Sequence, residues 1–171
     1  MFDFIKKILG SKSDKDLKDI YPLVDKINLE FNKLKALSDD ELRNKTFEFK
    51  ELVQNNLKKS DQEINNLREK YKKSEGSLSE KENILNEIDS IKESQKEIIE
   101  KCLNGLLPEA FAVVKETARR FTENESLKVT ATDFDREIAS KKDNVEIDGS
   151  RAIWYNEWVA AGVDIKWNMI H

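Results

Sequence analysis

Residues 106–120 read LLPEAFAVVKETARR. Pro108 suits the first turn of a helix, where its missing N–H costs nothing. Glu109 falls where the positive end of a helix dipole favours an acid, and Arg119 and Arg120 fall where the negative end favours a base. Ala110, Phe111, Val113, Val114 and Ala118 make a broad apolar stripe. The pattern predicts a packed helix over 108–121. Nothing in it is chemically reactive, and pattern alone supports only a buried helix of a helical domain.

N-terminal to this helix the chain reads as more helix. Phe2, Ile5 and Leu9, with Ile8 beside them, line one side of a short segment flanked by Lys6 and Lys7, and Gly10 suits its C-cap. A segment this short does not hold helix alone in water and needs a surface to fold against. Basic amphipathic segments can lie in lipid headgroups, but the residues by themselves favour docking on the chain's own surface. Ser13 is placed to cap a helix over 14–36 carrying Tyr21, Val24, Ile27, Leu29, Phe31 and Leu34. Pro22 predicts a kink or a split in it. Ser38-Asp39-Asp40-Glu41 is a capping box that starts the next helix, which carries Leu42, Phe47, Phe49 and Leu52.

Over 53–104 the apolar positions thin. Leu57, Ile64, Leu67, Tyr71 and Leu78 fall near seven-residue spacing, and Ile84, Leu85, Ile88, Ile91, Ile98 and Leu103 continue a helical stripe after a second capping box at Ser79-Glu80-Lys81-Glu82. The reading is two antiparallel helices joined near Gly76, a coiled-coil-like arm. A stabilising appendage with solvated charged faces is favoured over a partner-docking coiled coil. Past the 108–121 helix the alphabet changes. Residues 127–132 read as a strand, and Asp133 as the cap of a short helix to 141. Two strand pairs follow, around Asp148-Gly149 and around Gly162. Trp154, Trp158 and Trp167 all fall here. They read as a mini-core in preference to a base-stacking or peptide-gripping face, because the local basic residues, Arg151 and Lys166, are few.

Composition narrows the function. Charged residues are 37% of the 171, yet 30 basic and 34 acidic residues leave a net charge of only -4. No basic field argues for nucleic acid, and none is expected as a partner. Cys102 is the sole cysteine and His171 the sole histidine, so an internal disulfide and a His/Cys metal site are both excluded. No apolar run reaches bilayer-spanning length, and Asp3, Lys6 and Lys7 interrupt what would be a signal peptide. The five glycines, Gly10, Gly76, Gly105, Gly149 and Gly162, are isolated, so no window fits a G-x-x-x-x-G-K-[ST] phosphate loop. Acid pairs such as Asp39 with Asp40 and Asp133 with Asp135 sit at helix starts, where capping explains them. Catalytic, cofactor-binding and metal-ligating residues are each expected to be none.

Four blocks resemble the N-terminal region of SecA, the family of ATP-driven protein-export motors. Residues 106–120 are similar to its Pro-Glu-Ala-Phe-Ala-Val-Val helix, and FDFIKKILGSKSDKDLK (2–18) to its opening amphipathic helix, turn and next helix start. LSDDELRNKTFEF (37–49) resembles its Leu-Ser-Asp-Asp/Glu-Glu-Leu motif. WNMIH (167–171) is similar to the segment preceding the family's nucleotide-binding strand. The longer intervening residues resemble insertions in Bacteroidetes-like members. The resemblance implies an N-terminal piece of a longer protein, ending before the Walker A loop. ATP and Mg would belong to that parent, with no cofactor in this chain. It implies a cytoplasmic protein peripherally associated with the inner face of the cell membrane. Its partners would be the SecYEG channel, preproteins and anionic phospholipids, with a homodimer among the implied states. It also reverses the preference for residues 2–9, making Phe2, Ile5, Lys6, Lys7, Ile8 and Leu9 the membrane and channel contact.

The expected fold class is α+β, mainly α. N-terminal helices, a coiled-coil-like helical hairpin and a small C-terminal β-meander together form an incomplete piece of a RecA-like motor domain. The expected divisions are 1–52 (amphipathic helix and linker helices), 53–104 (inserted hairpin), 105–126 (helix packing on the motor domain) and 127–171 (β-meander leading to the nucleotide-binding strand). A free-standing helical interaction module and a peripheral membrane-binding protein remain as alternatives.

Overall fold

The computed structural model describes residues 12–167. Three long helices lead, α1 (Lys12–Leu34), α2 (Asp39–Lys73) and α3 (Leu78–Glu123). They are followed by β1 (Ser126–Thr130), α4 (Asp133–Ala139), β2 (Val145–Asp148), β3 (Arg151–Tyr155), β4 (Glu157–Ala160) and β5 (Val163–Lys166). The chain is thus α+β and mainly α. It divides into two compact units, one of Met1–Lys45 with Pro108–His171 and one of Thr46–Leu107.

Three helix boundaries differ from those the sequence predicts. Pro108 lies inside the 46-residue α3 and starts nothing. The helix reaches it already formed, so the proline forfeits one bond, to the Asn104 carbonyl, and the turns on both sides hold. Pro22 lies inside α1, which runs through it as one helix, and Ser13 is within α1 and does not cap it. The second capping box is set back two residues. Ser77 N donates to Glu80 Oε2 at 3.0 Å and Glu80 N to Ser77 Oγ at 3.4 Å. Ser77 and Ser79 each have a Glu three residues on, and the earlier start adds two residues to the helix.

In the first unit α1, the start of α2 and the last turns of α3 meet around Phe31, Leu34, Leu42 and Ala112, with Ile27, Leu37 and Val113 against them. Ala112 has no exposed surface, as a helix-to-helix contact through a small side chain requires. The stripe read at 108–121 is covered on one side only: Ala112 and Ala118 are buried, whereas Phe111 and Val114 are 58% and 66% exposed.

The β portion is two antiparallel sheets, one of order β1-β3-β2 and one of β4 with β5. Central β3 pairs Ala152 with Val129 on one side and with Ile147 on the other. Val129, Val145 and Ala152 are its buried residues. The Asp148↔Arg151 pairing leaves Gly149 and Ser150 as a two-residue turn with Gly149 at φ 56°. In the second hairpin Ala161 and Gly162 both take positive φ, 53° and 78°, which is what the right-handed twist of a two-residue hairpin demands. The cap of α4 is Thr132, one residue ahead of Asp133, and it forms a capping box with Asp135.

The second unit is the helical arm. Its helices run antiparallel about residues 74–77, with Ile64 and Leu67 of α2 packed on Ile84 and Ile88 of α3 and flanked by Tyr71 and Ile91. Gln95 Nε2 donates to Ser60 Oγ at 2.9 Å and Asp61 Oδ1 at 2.7 Å. At the turn, a Cβ on Gly76 would lie 1.9 Å from the Glu80 carboxylate that caps Ser77.

Candidate functional site

The segment 38–43, SDDELR, is where the first unit is tied together. Ser38 and Glu41 cap α2: Ser38 N donates to Glu41 Oε2 at 2.7 Å and Glu41 N to Ser38 Oγ at 3.3 Å. Leu42 enters the core. The remaining three residues each reach a different element. Asp39 accepts from Arg120 Nη1 of α3 at 2.5 Å. Asp40 accepts from Thr130 N of β1 at 2.6 Å and from Arg151 Nη1 of β3 at 3.0 Å. Arg43 donates to Asp135 Oδ1 of α4 at 2.8 Å and to the Thr132 hydroxyl at 3.2 Å.

Two of these partners, Arg120 and Asp135, are buried charges. Arg120 donates to Glu116 Oε1 at 2.8 Å and to the Leu37 carbonyl at 2.6 Å, just past the C-terminal end of α1. Glu116 has no exposed surface. Burial pushes its carboxyl up, but Arg119 and Arg120 outweigh that and hold it below its ordinary value. Asp135 is also fully buried. Burial would raise its pKa, yet the Arg43 guanidinium and the backbone and hydroxyl of Thr132 bring it down to about 2. Trp154 Nε1 adds a donor to Asp135 Oδ1 at 3.1 Å. Asp40 is lowered too, chiefly by the Thr130 N–H.

A second tie joins the end of α3 to the β4–β5 hairpin. Asn156 Nδ2 donates to the carbonyls of Phe121 and Asn124 at 3.1 and 3.0 Å, which α3 leaves open at its end. Trp167 packs against Phe121 (ring centroids 6.0 Å apart) and Trp158 (6.4 Å), and Trp154 is bound to Asp135. The three tryptophans are half-buried in these contacts.

Chemically, this arrangement holds elements in place. Its carboxylates are committed to arginines and backbone N–H groups. No group of His, Cys, Asp or Glu able to hold a metal occurs among the described residues. An open groove of about 450 Å³ lies beside Arg119, Arg120, Lys35 and Lys128, but both arginines face acids, Arg119 with Glu116 and Glu123 and Arg120 with Glu116 and Asp39. Cys102 is half-buried in the arm, beside a mainly apolar groove with Leu52, Ile98 and Gly105. The contact residues read from sequence, Phe2, Ile5, Lys6, Lys7, Ile8 and Leu9, and the terminal His171 lie outside the described residues. Sequence reasoning missed two ion-pair clusters built on buried groups, Arg43 with buried Asp135 and Glu116 with Arg120. Glu116 and Arg120 stand four apart on one helix face, a spacing that signals a pair.

The blocks 37–49 and 106–120 are therefore two halves of one lock, Asp39 to Arg120 and Leu42 to Ala112. The family described as the SecA DEAD-like domain matches residues 5–134. The chain belongs to the SecA family. The protein translocase subunit SecA of Bacteroides fragilis is 45% identical over 169 residues, covering 99% of this chain and 15% of the relative. The SecA of Christiangramia forsetii is 46% identical over 167 residues, 98% of this chain and 15% of the relative. That of Cytophaga hutchinsonii is 43% identical over 172 residues, 100% of this chain and 15% of the relative. The chain spans about 15% of the length of the curated SecA relatives it matches, and the match is to their N-terminal, DEAD-like part. No solved structure matches. No described helix is long and apolar enough to cross a membrane.

Proposed function

We propose that this chain is the docking and scaffold portion of an ATP-driven SecA translocase, which pushes preproteins through the SecYEG channel from the cytoplasmic face of the cell membrane. The observation that carries the reading is 45% identity to a SecA over an alignment that covers 99% of the chain, together with the lock between its two SecA-like blocks. ATP and Mg would be bound by parts of the parent outside this sequence, which has no phosphate-loop glycine pattern. The half-covered α3 face, with Phe111 and Val114 exposed, supports a seat for the rest of the motor and so the assignment of 105–126 as the helix packing on it. Residues 53–104 are read as an appendage to the scaffold, and 127–171 as the lead into the nucleotide-binding strand. Phe2, Ile5, Lys6, Lys7, Ile8 and Leu9 are the proposed contact with anionic phospholipid and channel, and a homodimer of the parent is part of the same reading.

Flotation with vesicles containing anionic phospholipid tests the membrane arm. The chain is expected to float with them, and Ile5→Asp with Ile8→Asp to remain in the aqueous fraction while its helical signal is kept. Equal flotation of the two overturns the assignment. The intact parent is expected to hydrolyse ATP faster with SecYEG vesicles and an unfolded preprotein, and this chain alone not to hydrolyse ATP at all.

A further inference from the structure

The pairing of β1 leaves one stretch of sheet edge open. In an antiparallel ladder alternate residues turn both N–H and C=O toward the partner strand, and the residues between turn theirs away. Asn156 N donates to the Glu125 carbonyl at 3.0 Å and Ala131 N to the Ser150 carbonyl at 2.8 Å. With Ser126 opposite Tyr155, Leu127 and Val129 therefore bond β3, and Ser126, Lys128 and Thr130 face away from it. β1 is an edge strand of its sheet. At Thr130 that edge is closed: Asp40 accepts from its N–H at 2.6 Å and Arg43 donates to its carbonyl at 3.4 Å. The outward backbone groups of Ser126 and Lys128 have no such cover among the described residues. Both residues line the open groove of about 450 Å³, with Lys35, Leu37 and Arg119.

The groove carries positive charge to spare. Arg119 and Arg120 are offset by Glu116, Glu123 and Asp39. Lys35 lies over the Phe31 ring, 4.8 Å from its centroid, and Lys128 is exposed. Neither lysine is in an ion pair among the described residues. An open edge recruits an extended chain whose main-chain groups complete the ladder. Lysines beside it repel a second copy of the same edge and attract carboxylates.

We infer that the Ser126–Lys128 edge docks an extended acidic segment of a second polypeptide, as a fourth strand on the β1-β3-β2 sheet. Main-chain pairing holds the segment, and the lysines select its charge. An acid opposite Lys128 makes a favourable cross-strand pair. The docked stretch is short, because Asp40 already occupies the Thr130 N–H. The docking requires neither lipid nor channel.

Capped six-residue peptides added to the full chain test it: one of alternating Glu and Val, one of alternating Lys and Val, and the Glu/Val peptide N-methylated at its two central residues, which blocks both of its strand edges. Hydrogen exchange of the unsubstituted chain is read first. The Ser126 and Lys128 amides are expected to exchange at least about tenfold more slowly with saturating Glu/Val peptide, while those of Leu127 and Val129, already bonded to β3, change little. The other two peptides should give no slowing. Lys35→Glu with Lys128→Glu is expected to weaken binding of the Glu/Val peptide about tenfold or more. Ser126→Pro removes an outward N–H, spares the bonds to β3 and should weaken binding with no change of charge. Equal slowing by all three peptides, no slowing with the Glu/Val peptide, or protection of Ser126 and Lys128 that grows with chain concentration before any peptide is added (a second copy on the edge) each overturn the inference.

Discussion

Asp135 shows how much a single side chain carries here. It closes a capping box with Thr132, pairs with Arg43 and accepts from the Trp154 indole while fully buried. Its pKa in the fold is about 2, below the ordinary value of 3.8. The carboxylate therefore contributes stability that is complete above its ordinary pKa and is lost as pH falls through the window between the two, on the order of 2 kcal/mol. Glu116 and Asp40, lowered as well, act in the same direction. The urea midpoint is expected to fall steeply from about pH 5 to about pH 2, and Asp135→Asn to start lower and flatten that slope. An unchanged slope in the variant would show that the acid limb belongs to other carboxylates. None of this was legible in the sequence. Asp135 reads there as one of two acids at a helix start, and what buries it is an arginine 92 positions earlier. Ser38 and Glu41 were legible because capping needs only a spacing of three.

At the scale of elements, helices were legible and their ends were not. The apolar periods of α2 and α3 stand out against the charge, but a proline is read as a start wherever the preceding turn is weak, and past Leu103, the last position of the arm's stripe, nothing signals that the same helix runs on through Pro108. The two arm glycines differ in a way only the folded chain discloses. A Cβ at Gly105 would have no atom within 4 Å, whereas at Gly76 the same carbon meets the Glu80 cap. Gly105→Ala is expected to raise stability by about 0.5–1 kcal/mol, since it removes backbone entropy from the unfolded chain at no steric cost. Gly76→Ala is expected to lower it by about 1 kcal/mol through the displaced cap. Thermal melts of the two variants should move in opposite directions. The β portion was legible as strands and turns, Asp148-Gly149 above all, but its division into two sheets turns on Asn156, whose amide is spent on the last carbonyls of α3.

For the molecule as a whole, the fold class and family were legible because four blocks stand in SecA order, while the lock between 37–49 and 106–120 needed the chain to be folded. That lock joins positions far apart along the chain: Arg120 meets Asp39 across 81 residues, and Lys45 meets Glu109 at 3.2 Å. Between them runs the arm, Thr46–Leu107. For a flexible chain, bringing the ends of such a loop together costs about 4 kcal/mol of entropy. The arm is not flexible. Its helices pair through near neighbours around residues 74–77, a local event that carries positions 45 and 109 toward each other before any long-range contact exists. Replacement of the arm by a Gly/Ser linker of equal length is therefore expected to slow refolding about tenfold or more in stopped-flow fluorescence of the tryptophans, while the unfolding rate stays nearly unchanged. Equal refolding rates would leave the arm as mass alone. On this account the length of the arm can drift without harm to the fold of the first unit, provided the pairing near its turn survives, because what the fold draws from it is a short path between two distant points of sequence.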